Sequence, residues 1–377
     1  MRYYLIAGEA SGDLHAANLI LALQKSDESA IFRGWGGDRM EAAGAVLVKH
    51  YRDLAYMGFF QVIMHLPAIK RNLSFCERDI RDYKPDVLIL IDYPGFNLRM
   101  AKFAARNGFR VFYYITPQLW AWRSSRVKIL KKYVEHSFVI LPFEKEFYAR
   151  FQYPVDFVGH PLLDVIPEEN DPVTRDQFLK AHNLSELPII ALLPGSRRME
   201  IKEMLKQMLL VISHFPNHQF VIAGAPSIPF SFYSNMIKNL QIPVLTGVTY
   251  GLLKHSEAAL VTSGTATLET ALLKTPQVVC YKGDGFSFFI ASKIVHVKYI
   301  SLVNLILDEP LVKELIQNDL NEDHLYQELT RILQEVEVRN RILLGYSRLR
   351  EKLGGPGASM RASRLMIQYL NKKQVSN

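Results

Sequence analysis

Asp92 stands in Ile91-Asp92-Tyr93-Pro94-Gly95-Phe96-Asn97, directly behind an apolar run and beside a rigid turn. A carboxylate at the carboxyl end of a strand can accept a proton, and sugar transfer with inversion needs one base to deprotonate the attacking hydroxyl. The alternative is that Asp92, or Asn97, caps the next helix. Gly8-Glu9-Ala10-Ser11-Gly12-Asp13 follows another apolar run and leads into a helical pattern. Its two glycines allow a tight turn with amides exposed at a helix N-terminus, a place for an anion or for sugar hydroxyls, or else a plain connection.

The second half repeats the device twice. Leu193-Pro194-Gly195-Ser196-Arg197-Arg198 offers amides, a hydroxyl and a guanidinium fork suited to a diphosphate. A surface turn whose arginines face water is the plain alternative. Ser263-Gly264-Thr265-Ala266-Thr267-Leu268-Glu269 clusters hydroxyls at a first helical turn, and Glu269 one turn in can hold two ribose hydroxyls. A capping box would look the same.

The elements that must carry these turns follow from hydrophobic patterning. Short apolar runs alternate with helix-period segments, which predicts an α/β class with doubly wound parallel sheets. Strands are expected at Tyr3–Ala7, Ala30–Trp35, Val87–Ile91, Val111–Ile115, Phe138–Leu141 and Val155–Val158, and again at Ile189–Leu193, Phe220–Ala223, Val244–Leu245, Ala258–Val261 and Gln277–Tyr281. From about Leu311 the pattern reads as helical, broken at Gly354-Gly355-Pro356-Gly357 before an amphipathic segment, Ala358–Leu370. The proline-rich, acidic stretch Pro161–Val173 reads as a linker, so one domain is expected over 1–166 and another over 167–349. His160, in Gly159-His160-Pro161, falls at that junction, lining a cleft between the domains or packing a hinge.

Length supports two cores: 377 residues exceed what one ordinary interior organises, and 49% apolar with 22% charged residues excludes disorder. No stretch reaches the roughly 18 apolar residues that span a bilayer, and a cytoplasmic protein is expected. Cys76 and Cys280 are too few for a disulfide framework and are expected to be reduced. No histidine spacing matches a metal motif, so neither a metal nor a cofactor is expected.

The net charge of +8 is uneven, since residues 99–150 carry eleven Lys or Arg against Glu135, Glu144 and Glu146. Trp120, Trp122, Arg123 and Arg126 belong to this basic, aromatic stretch, suited to lipid headgroups or a sugar phosphate; motifs for reading nucleic acid are absent. Phe59, Val62, Ile63 and Leu66 recur at helical spacing with Phe60 beside them and Lys70 and Arg71 behind. Such a segment adsorbs to an anionic membrane surface or simply covers a sheet.

Taken in order, these motifs, with Trp120-Ala121-Trp122-Arg123 and Leu141-Pro142-Phe143-Glu144, closely resemble the lipid-A-disaccharide synthase family over nearly the whole chain. The resemblance implies a GT-B fold of two Rossmann-like domains facing a cleft, with helices from about 350–377 returning to the first. It implies transfer of 2,3-diacylglucosamine from its UDP derivative to the 6-hydroxyl of 2,3-diacylglucosamine 1-phosphate. Asp92 would be the base, with Arg197 and Glu269 on UDP beside Gly195, Ser196, Ser263, Gly264, Thr265 and Thr267. Gly8, Glu9, Ser11, Gly12, Asp13, Asn97, Trp122, Arg123, His160 and Asn304 would face the acceptor, at the inner face of the cytoplasmic membrane. Val303 stands where the resemblance would place proline. The competing assignments are another GT-B enzyme, such as a UDP-GlcNAc epimerase or the peptidoglycan-precursor transferase, and a non-catalytic basic binding module.

Overall fold

The computed structural model describes residues 1–54, 66–122, 124–166, 173–237, 240–283 and 298–372. Seven strands are laid down first: β1 (Arg2–Ala7), β2 (Ile31–Gly36), β3 (Ala45–His50), β4 (Val87–Ile91), β5 (Val111–Tyr114), β6 (His136–Val139) and β7 (Asp156–Phe157). They form one sheet in the order β3-β2-β1-β4-β5-β6-β7, parallel throughout. A second parallel sheet has the order β10-β9-β8-β11-β12-β13, from β8 (Ile189–Leu193), β9 (Gln219–Gly224), β10 (Val244–Thr246), β11 (Ser256–Thr262), β12 (Gln277–Tyr281) and β13 (Lys313–Ile316).

Every apolar run read as a strand pairs in one of these sheets. Two strands go beyond that reading. β3 precedes the Val87 run, which is therefore the fourth strand. β13 interrupts the stretch expected to be helical from Leu311, and that expectation is corrected here. Both lie at sheet edges and are only partly buried, so neither needs an unbroken apolar run. At the inner strands the opposite holds. Tyr4 and Ile6 of β1 enter one core with Leu88 and Leu90, while Tyr3, Leu5 and Ala7 enter another with Val87, Ile89 and Ile91. Alternate residues thus fill opposite faces, both covered by helices.

The chain divides into two units, Met1–Asp164 with Leu353–Asn377, and Val165–Lys352. Within the first, the helix Ala358–Asn371 packs beside the helix Ala10–Ser26 and contributes Ala362 and Met366 to the core under β1 and β4. Charges from distant sequence fix both of its ends. Asp164 accepts the amides of Gly357 (2.6 Å), Ala358 (3.1 Å) and Ser359 (2.9 Å) at its start. Arg110 donates to the carbonyls of Tyr369 (2.8 Å) and Leu370 (3.1 Å) at its end. An anion at the positive end of the helix dipole and a cation at the negative end both stabilise it.

Asp164→Ala is expected to cost about 0.5–2 kcal/mol, the range for a lost N-cap, and to speed amide exchange across Ala358–Asn371 while leaving β8 unaffected. Unchanged protection in that helix would remove the capping role.

Candidate functional site

In each sheet the strand order reverses once, between β1 and β4 in the first and between β8 and β11 in the second. The register aligns Ala7 with Ile91 and Leu193 with Val261, so the loops that follow leave at the same height. Ligands in open parallel sheets bind at such reversals because successive crossovers go to opposite faces and leave a crevice. Gly8–Asp13 follows β1, Asp92 follows β4, Gly195–Arg197 follows β8 and Ser263–Glu269 spans the turn after β11.

Around Asp92 the backbone is strained. Asp92 (φ 44°), Tyr93 (φ 49°) and Ile115 (φ 62°), just after the neighbouring β5, are all left-handed without being glycine. Each costs on the order of 1–3 kcal/mol and persists only if its surroundings over-determine it. They do. The Asp92 amide reaches the carbonyls of Tyr114 (3.4 Å) and Ile115 (3.2 Å), and its own carbonyl accepts from the Tyr113 hydroxyl and the Asn97 carboxamide. Asn97, fully buried, also donates to Ile6 (3.3 Å) and Ile91 (3.1 Å). The first helical residues after β4 have Tyr93 as N-cap with no side-chain cap, so neither Asp92 nor Asn97 caps that helix. Tyr93 lies over Gly8, where a Cβ would come within 2.3 Å of its ring.

The Asp92 carboxylate is half-buried, and burial, then the negative charge of Glu9, pushes its pKa up to about 6. It can therefore hold or release a proton near neutrality. The other residues of the first loop divide in purpose. Ser11 is exposed and Glu9 half-buried, whereas Gly12 packs on Ala7 and Ile91. Asp13 is buried and accepts the amides of Gly37 (2.7 Å), Met40 (3.1 Å) and Arg39 (3.2 Å), which commits it to capping the helix Asp38–Ala42. His160 is also buried. Burial, then the neighbouring His15, lowers its pKa to about 3, and its Nδ1 accepts the Leu162 amide, so the ring is neutral at pH 7.

In the second unit, Gly195 (φ 110°) and Ser196 open onto the helix Arg198–Met208, whose N-cap is Arg197. The Ser196 amide already has an anion on it: it donates to Glu200 Oε2 at 2.9 Å. A Cβ on Gly195 would meet that carboxylate at 2.2 Å, so glycine is required twice over. Arg198 stacks over Phe232 (5.5 Å), away from Arg197 in role. Gly264 is the N-cap of the helix Thr265–Leu272, without a side-chain cap, so the capping-box alternative does not describe this turn. Ser263 instead donates to the Ile300 carbonyl (2.8 Å), buried Thr267 donates to Gly264 (2.8 Å), and Thr265 is exposed. Glu269 accepts the Tyr250 hydroxyl at 3.1 Å; burial raises its pKa and that bond opposes the shift. Asn304 is turned inward, paired with Val312 in both directions (2.8 and 3.0 Å) and with Glu314 of β13 (2.9 Å).

Phe59, Phe60, Val62, Ile63 and Arg123 lie outside the described residues, as do the side chains of Leu66 and Trp122. Lys70 and Arg71 are exposed on the helix Leu66–Tyr83 and line a groove of about 850 Å³ with Lys49, Arg78 and Phe75. Among the described residues no His, Cys, Asp and Glu cluster could hold a metal, and no helix is long and apolar enough to cross a membrane. Sequence reasoning misses Tyr93, Tyr113, Glu200, Tyr250 and Glu314. Only Glu200, three residues after the N-cap, carries a local signal, that of an acid placed to reach back to a helix start.

Residues 3–365 match the family model described as Lipid-A-disaccharide synthetase. Curated relatives named lipid-A-disaccharide synthase include that of Syntrophus aciditrophicus, 38% identical over 98% of this chain and 97% of its own, and that of Trichlorobacter lovleyi, 36% identical over 98% of both. Among solved structures, the UDP-GlcNAc 2-epimerase from Neisseria meningitidis bound to UDP-GlcNAc superposes with a TM-score of 0.67 over 98% of this chain and 99% of its own. At 14% identity that likeness shows a fold, that of GT-B glycosyltransferases and epimerases.

A raised acid binds its proton more tightly folded than unfolded, so its ionisation lowers stability as pH climbs from the unfolded value near 4 through about 6. Asp92→Asn is therefore expected to be more stable than the parent at pH 8, with the gap closing by pH 4. Parallel stability curves for the two proteins would show that Asp92 is not held in this environment.

Proposed function

The chain belongs to the lipid-A-disaccharide synthase family, glycosyltransferases that make the lipid A disaccharide, and from that membership we propose an inverting transfer with Asp92 as its base. The donor is UDP-2,3-diacylglucosamine and the acceptor is 2,3-diacylglucosamine 1-phosphate. Asp92 takes the proton from the acceptor 6-hydroxyl as that oxygen bonds to the donor's anomeric carbon. The carbon–oxygen bond to the β-phosphate breaks on the opposite face, and UDP leaves with the electron pair. A β-1,6-linked disaccharide 1-phosphate results, with the proton on Asp92.

One observation supports this most: a half-buried carboxylate with a pKa near 6, on a strained turn at the strand-order reversal. A base must be ionised at working pH yet basic enough to take a proton as the alkoxide forms, and burial supplies that balance. On the donor side Arg197 and the amides at Gly195 and Ser196 take the diphosphate, and Glu269 takes the ribose. The Ser196 amide becomes available when phosphate displaces the Glu200 carboxylate. For a peripheral site on the inner face of the cytoplasmic membrane, the support is the exposed Lys70 and Arg71 beside Lys49 and Arg78, cations that attract anionic headgroups.

Incubation with both acylated precursors and mass spectrometry of the lipid product tests the reaction; an unacylated donor used as readily would favour another GT-B activity. Asp92→Asn is expected to fold and lose most turnover, and near-normal turnover would remove the base. Arg197→Ala is expected to weaken UDP binding by on the order of 1.5–3 kcal/mol, as for a charge-assisted hydrogen bond. Glu200→Gln is expected to tighten it by about 0.5–1 kcal/mol, since an anion leaves the helix start. Weaker UDP binding by the Gln variant would mean that Glu200 serves the ligand instead of competing with it.

A further inference from the structure

The segment Leu141-Pro142-Phe143-Glu144 carries a buried acid that the transfer mechanism leaves unused. Glu144 is 1% exposed at the start of the helix Glu144–Ala149. One oxygen accepts the amides of Leu141 (2.9 Å) and Ile140 (3.2 Å), and the other accepts the Thr116 hydroxyl (3.4 Å). Burial pushes its pKa up to about 7 against those donors. Closing the turn after β6 needs only the two amides. The bond to Thr116 reaches a different element, the segment leaving β5.

That segment is gripped at further points by the same helix and its approach. The Tyr148 hydroxyl, one turn after Glu144, donates to the Pro117 carbonyl (3.5 Å), and Phe143 meets Trp120 edge-on at 5.0 Å. Directly before Thr116 stands Ile115, left-handed at φ 62° although β-branched, which makes it a costly conformation. The Ile115 carbonyl accepts the Asp92 amide at 3.2 Å, and its own amide donates to Phe138 (3.0 Å). A continuous set of contacts therefore runs from Glu144 through Thr116 and Ile115 to the backbone of Asp92.

We propose that Glu144 is a positioning residue for the transfer step, holding the Ile115–Trp120 segment so that Ile115 keeps Asp92 in its strained conformation. The proposal rests on the assignment of Asp92 as base. A displaced base costs turnover steeply, because reacting atoms must be held near contact distance in a fixed orientation. Ground-state binding of UDP involves the other unit and is not affected.

Thr116→Val removes the Glu144 bond to the segment after β5, keeps the Tyr148 bond to Pro117, and leaves the turn after β6 intact. Glu144→Ala removes all three, and Glu144→Gln keeps an acceptor for the amides. Steady-state kinetics with both acylated precursors, calorimetry with UDP and the pH profile of kcat/KM, taken well below each variant's melting temperature, give the test. The expected result is a fall in kcat of about ten- to a hundred-fold in Thr116→Val and Glu144→Ala. UDP affinity is expected to stay unchanged, the acid limb of the profile to move, and Glu144→Gln to recover part of the loss. A folded Thr116→Val protein with parental kcat and an unmoved acid limb overturns the proposal, even if its melting temperature drops. If Glu144→Ala does not fold, Thr116→Val decides alone. Asp92→Asn separates the two failures: inactive Asp92→Asn with neutral Thr116→Val sinks only the positioning role, whereas active Asp92→Asn sinks the base assignment itself.

Discussion

A parallel sheet cannot connect neighbouring strands by a tight turn, so each connection crosses a face through a helix, and wherever strand order reverses two such connections part company. Here this happens at β1 and β4 and again at β8 and β11. The inner strands are committed by their side chains to two buried faces, which leaves chemistry to their carboxyl ends. Every polar feature of interest in either unit is a response to that restriction. Backbone amides at Gly195 and Ser196, and the carboxylates of Asp92 and Glu269, stand at or just beyond these carboxyl ends, the Ser196 amide and Glu269 each already holding a partner there.

The first unit spends conformational energy at this point. Three left-handed residues, at about 1–3 kcal/mol each, oppose a set of hydrogen bonds worth about 0.5–1.5 kcal/mol apiece. The Asn97 carboxamide, the Tyr113 hydroxyl and the Asp92 amide supply six such bonds to or from the strained turn and the strand ends around it. The sums are comparable, so the turn survives only because these partners are buried and cannot be satisfied by water. Removing Asn97 would take a buried donor from the carbonyls of Ile6, Ile91 and Asp92, of which that of Asp92 would keep the Tyr113 hydroxyl.

Strand-to-helix turns are legible in the sequence because glycine, proline and hydroxyl residues punctuate apolar runs, and the runs themselves mark the inner strands. Edge strands are not. Ala45-Val46-Leu47-Val48-Lys49-His50 and Lys313-Glu314-Leu315-Ile316 keep charged or half-exposed residues because only part of each is covered. Within the turns, residue type does not say which polar groups are spoken for. Asp13, Asn97 and Asn304 look like ligands on paper, yet each is bonded to backbone from another element, in a pairing set by topology. Tyr250 and Glu314 are invisible for the converse reason: their partners, Glu269 and the segment Ile300–Asn304, come close only after the chain between them has folded back.

The helix Ala358–Asn371, clamped by Asp164 at one end and Arg110 at the other, has a bearing on the order in which this protein can be made. A ribosome releases β1 through β7 first, then the whole of Val165–Lys352, and only afterwards Ala362 and Met366, which seal one face of that first sheet. The second unit is contiguous and can mature as it emerges. The earlier one must wait with an open apolar surface, so the nascent chain is a natural client for chaperones, and premature termination would strand it in an adhesive state.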